Sequence, residues 1–100
     1  MFILELTYAV PNDQIDALLP EHSAWLRRQY DEGRFLAAGR KVPRTGGVIV
    51  AVGEDRAEIE AVVATDPLMV KGATEYRITE FLATTTAPAL DGYRQQLPTA

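Results

Sequence analysis

The chain has 100 residues, 47% of them hydrophobic, which fits one compact domain with a modest core. A formal net charge of -4 argues against nucleic acid and anionic membrane surfaces, both of which are bound through clustered Lys and Arg. The absence of cysteine excludes disulfides, thiolate nucleophiles and cysteine-ligated metals. No stretch reaches the length of a membrane span and the first residues lack a signal-peptide pattern, so the expectation is a soluble, cytoplasmic protein. At this size, pairing with a second copy is a common source of added stability.

In residues 2–9, Phe2, Leu4, Leu6 and Tyr8 alternate with Ile3, Glu5, Thr7 and Ala9, the period of a strand. Pro11, Asn12 and Asp13 then stop the strand and start a helix. Ile15, Leu18, Leu19, His22, Trp25, Leu26 and Tyr30 follow at helical spacing, and Gly33 suits a left-handed cap. Pro20 lacks an amide proton and clashes with the carbonyl four residues earlier, which predicts a break or kink. The better-formed helix would then start at Pro20, with His22 in its first turn, where the helix dipole disfavours imidazolium.

Residues 35–42 read as a second strand, Pro43 to Gly46 as a connection, and residues 47–53 as an apolar third strand. Residues 56–64 read as a helix with acidic residues at its start. Thr65, Asp66 and Pro67 restart a short helical turn that runs to Gly72, and residues 74–82 form the last strand. Residues 84–100 form a C-terminal helix or arm around Leu90, Tyr93 and Leu97, beyond a domain of residues 1–83. The order β-α-β-β-α-β predicts an α+β, ferredoxin-like fold with a four-stranded antiparallel sheet. Val48, Val50 and Val52 alternate with Gly47, Ile49 and Ala51, so neither face of the third strand is polar. Helices cover only one face in this topology, and the other is expected to pack against a second copy as a homodimer.

His22 is the single histidine, on an apolar helix face. A general base needs a pKa near working pH and a partner that fixes its tautomer, so a histidine beside a carboxylate is an economical arrangement. Asp66 is the candidate carboxylate, although Thr65-Asp66-Pro67 also reads as a plain helix cap. His22 has its own bland reading as a packing residue. Tyr8 lines a cleft or packs in the core or an interface, and Trp25 favours the core. Gly46-Gly47 lacks the lysine and following helix of a phosphate loop and reads as a turn. One histidine with isolated carboxylates has no metal-ligand spacing.

Pro20-Glu21-His22, Trp25-Leu26, the run from Gly33 to Gly39, Gly46-Gly47 before an apolar strand, and Asp66-Pro67-Leu68 through Gly72 together resemble the YciI-like (YCII-related) family. The resemblance covers about residues 1–83. It implies a dimeric α/β-barrel of ferredoxin-like subunits and a catalytic pair at positions matching His22 and Asp66. The family usually carries Pro after the Ala-Gly pair and Phe after Asp-Pro, where this chain has Arg40 and Leu68. If Arg40 points into the cleft, its fork of donors suits a substrate carboxylate; if outward, it is a solvated charge. The first functional reading is a cofactor-independent enzyme that moves a proton on a small, anionic organic molecule, as an isomerase, lyase or hydrolase. The alternative is a non-catalytic dimeric module that binds a metabolite or a protein.

Overall fold

A computed structural model of the chain describes residues 1–98. The elements are β1 (Phe2–Tyr8), α1 (Asn12–Asp31), β2 (Phe35–Arg40), β3 (Gly46–Ala51), α2 (Arg56–Val63), α3 (Pro67–Val70) and β4 (Thr74–Glu80), followed by a 3-10 helix at Pro88–Tyr93. The four strands form one antiparallel sheet in the order β2-β3-β1-β4, the ferredoxin-like arrangement. Strand alternation sends Phe2, Leu4 and Leu6 of β1 and Ile49 and Ala51 of β3 to one face, where they are buried against Ile15 and Trp25 of α1 and Ile59 and Val63 of α2. Val48 and Glu5, paired across β1 and β3, lie on the opposite, exposed face.

Pro20 does not break the helix. It lies inside a continuous α1 of 20 residues, with its ring exposed to solvent. The apolar stripe on either side of it, from Ile15 to Trp25, is anchored on the sheet, and that burial outweighs the roughly 3 kcal/mol that an interior proline costs. His22 therefore sits in the middle of α1 rather than in a first turn. Gly33 closes α1 at φ 72°, as expected, with its amide and that of Arg34 donating to the carbonyls of Tyr30 and Gln29.

The strands are shorter than the sequence suggests: β2 stops at Arg40 because Lys41 leads into the Pro43 loop, and β4 stops at Glu80. β3 starts at Gly46, so Gly46-Gly47 is strand rather than turn. The reason is close approach: a β-carbon on Gly46 would collide with the backbone carbonyl of Leu6 in β1. The tail is an arm with one 3-10 helix, tied back where the Gln95 amide donates to the Ala83 carbonyl (2.9 Å) and the Ala83 amide to Gln95 Oε1 (3.0 Å). The end of the expected tail, residues 99–100, lies outside the described residues. No helix among the described residues is long and apolar enough to cross a membrane.

Backbone, not a flexible side chain, faces Gly46, so Gly46→Ala is expected to cost about 3 kcal/mol or more. Gly39, with open space where its β-carbon would go, is expected to accept Ala with a change under about 1 kcal/mol. Denaturant unfolding of the two variants checks this; equal stability would contradict it.

Candidate active site

Leu19, His22, Leu26 and Tyr30 recur every three or four residues along α1 and form one wall of a cleft of about 260 Å³. Leu6 and Tyr8 of β1, Gly47 and Ile49 of β3, and Leu68 of α3 complete its floor. Arg40 joins them through a register slip in β2. Pairing shifts by one residue between Phe35 and Ala37, which sets Ala38 opposite the buried Ile49 and Arg40 opposite Gly47, on the helix side of the sheet. Gly47 brings no side chain to that pairing. Arg40 thus lines the cleft, as do Tyr8 and Leu68.

His22 and Asp66 meet directly, with Nδ1 of the imidazole 2.8 Å from Oδ1 of the carboxylate. Asp66 is fully buried, and the His22 side chain is 12% exposed. The same Oδ1 accepts the Leu68 amide (3.0 Å), which makes Asp66 the cap of α3, and Oδ2 accepts the Tyr76 hydroxyl (2.5 Å). Both readings of Asp66, cap and histidine partner, hold at once. A carboxylate in its ionised form only accepts, and opposite such a form the ring proton would sit on Nδ1, with Nε2 as the other ring nitrogen. The ring plane is fixed from the side by Trp25, whose ring stacks at 5.7 Å and 27°. Trp25 is itself core, edge-on to Phe35 (5.4 Å), with its Nε1 donating to Thr65 Oγ1 (2.8 Å).

The charges around the cleft are asymmetric. Arg44 donates to Asp16 (2.5 Å) and lies 5.9 Å from the Tyr8 ring centroid. The Arg44 hydrogen bond holds the Asp16 carboxyl below its usual range. Among the described residues that line the cleft, Arg40 is the one with a permanent charge, and none is a carboxylate. Among the described residues, no three His, Cys, Asp or Glu side chains come together to hold a metal ion.

The model of the YCII-related domain matches residues 1–82. The chain belongs to the YCII-related family. Comparison with curated proteins returns no match. Among solved structures this YCII-related domain is similar to the 5-chloro-2-hydroxyhydroquinone dehydrochlorinase (TftG) from Burkholderia phenoliruptrix AC1100, in complex with 2,5-dihydroxybenzoquinone. The TM-score is 0.64 and the sequence identity 18%, over 81% of this chain and 93% of that one, a likeness of fold.

Sequence reasoning missed Tyr76 and Arg44. Tyr76 carried a signal, because a phenol on the apolar face of a strand needs a buried partner for its hydroxyl. Arg44, in a loop, carried none. Burial, followed by the charge and hydrogen bond of Asp66, pushes the Tyr76 phenol far above the ordinary tyrosine range, so it stays protonated. The unfolded chain releases that proton near pH ~10, so the stability linked to this group is complete below that pH and is lost as pH rises above it. Denaturation midpoints measured on both sides of pH ~10 are expected to fall on the alkaline side, and to fall less in Tyr76→Phe. An identical fall in both proteins would contradict the assignment.

Proposed function

We propose that this YCII-related domain is a small enzyme that moves a proton on a small organic anion, with His22 Nε2 as the base or acid. Asp66 orients the ring and faces the imidazolium that forms, and Arg40 binds the anionic group, with Tyr8 beside it. The observation that carries this reading is the His22 ring held at Nδ1 by a buried carboxylate, in a cleft whose single permanent charge is cationic. A cleft of about 260 Å³ suits a compact molecule, since larger ligands occupy roughly 300–1,000 Å³. The dehydrochlorinase of similar fold, solved with 2,5-dihydroxybenzoquinone, supports a small oxygenated substrate. In the first step Nε2 takes a proton from the substrate, whose bonding pair stays behind as an enolate or leaves with a departing group. Returning the proton elsewhere gives isomerisation, and loss of the leaving group gives elimination. Hydrolysis uses the same base on water.

The exposed sheet face supports a homodimer packed sheet against sheet. Ile3, Val48 and Val50 form an apolar strip there, bordered by the Lys41–Glu5 ion pair (3.0 Å). Light scattering is expected to give the mass of two chains, and Val50→Glu that of one; a monomeric parent protein would contradict this.

For the chemistry, a panel of small carboxylates and enolisable phenols is incubated with the protein in deuterium oxide and read by NMR for exchange of carbon-bound hydrogen. His22→Ala and Asp66→Asn are expected to slow exchange by roughly 10²–10⁴-fold. Arg40→Ala is expected to weaken binding roughly tenfold or more. Undiminished exchange in a folded His22→Ala protein would overturn the reading, as would a panel with no exchanging member.

A further inference from the structure

Asp66 has two carboxylate oxygens in a fully buried place, and the His22 bond occupies only one of them. Oδ2 has a single partner, the hydroxyl of Tyr76 on β4, at 2.5 Å. Tyr76 is opposite Leu6 in the β1–β4 register, so the phenol comes from beneath the site and does not line the cleft. Nothing in the proton-transfer step uses it. A buried carboxylate oxygen without a donor is costly, and the chain has two ways to relieve it: rotate the carboxylate, or put a proton on it. Asp66 that has taken up one proton from solvent would donate to His22 instead of accepting. Nδ1 would then be an acceptor, the ring proton would move to Nε2, and the cleft would face a donor in place of a lone pair.

We propose that Tyr76 is a positioning residue for the His22–Asp66 pair: by donating to Asp66 Oδ2 it keeps the carboxylate an acceptor and so holds His22 in the Nδ1–H tautomer. Its phenol suits the task because it donates without bringing a charge of its own. Burial reinforces this by keeping the proton on the oxygen across the working pH range. The Leu68 amide, on Oδ1, fixes the other end of the same carboxylate, so the three donors reach it from α1, α3 and β4. The inference rests on the proton-transfer reading for its purpose, but the tautomer is read without turnover, so either can fail alone.

The test is long-range proton–nitrogen NMR of the single histidine in the ligand-free protein. Tyr76→Phe is expected to shift the tautomer ratio toward Nε2–H by roughly tenfold, the size expected for removing one hydrogen bond to a buried charge. Thr65→Ala, which removes the bond to Trp25 from the same turn without touching the carboxylate, is expected to leave the ratio unchanged. An unchanged ratio in folded Tyr76→Phe, or an equal shift in Thr65→Ala, would overturn the proposal. Replacing Tyr76 alone by 3-fluorotyrosine gives a stronger donor of nearly the same shape and decides the matter should Tyr76→Phe not fold. The His22 Nδ1 proton resonance is then expected to move upfield as Asp66 gives more of its charge to the phenol, and an unmoved resonance would overturn the proposal.

Discussion

A carboxylate sealed from water needs a donor for each oxygen, and Asp66 finds its donors on three separate elements. His22 comes from α1, the Leu68 amide from α3 and the Tyr76 hydroxyl from β4. An isolated buried charge costs many kcal/mol, so these elements are held in a common arrangement by the need to satisfy one side chain. The constraint also bears on where α3 begins: Asp66 caps it, and Pro67 lacks the amide that would otherwise need a partner. The cap and the histidine partner are one structure, and the helix turn at residue 66 is what aims the carboxylate at α1.

The geometry of the cleft follows from the same frame. α1 runs unbroken past Pro20 because its apolar stripe is anchored on both sides of the proline, and this continuity puts His22 in line with Leu19, Leu26 and Tyr30. The sheet answers with small residues on its helix side, Ala38 and Gly47, which leave the space that larger side chains would fill. Charge is sorted as well. In a chain with more acids than bases, none of the described residues that line the cleft is a carboxylate, and Asp16 pairs with Arg44 outside that lining. A cationic group and a histidine lining one cleft are the features on which the proposed binding of an anion and transfer of its proton rest.

What the sequence made legible was what periodicity encodes. The alternation of Phe2, Leu4 and Leu6 and the helical spacing from Ile15 to Tyr30 gave the element order, and that order gave the sheet topology. His22 stood out because it was a single titratable residue on an apolar stripe, and Asp66 through its family motif. The local rule that predicts a break at Pro20 does not contain the tertiary burial that overrides it. Gly46 looked like a turn because its role is set by Leu6, a residue on another strand. Arg40's direction depended on a one-residue slip in β2, which no alternation pattern records. Tyr76 was missed because its partner lies on a different element and only the fold brings the two together.

The central claim is that the Asp66 carboxylate holds the proton of His22 on Nδ1 and leaves Nε2 free for the cleft. Long-range proton–nitrogen NMR of the unmodified protein at alkaline pH is the direct test. A predominant Nδ1–H tautomer is expected. A predominant Nε2–H tautomer would contradict it.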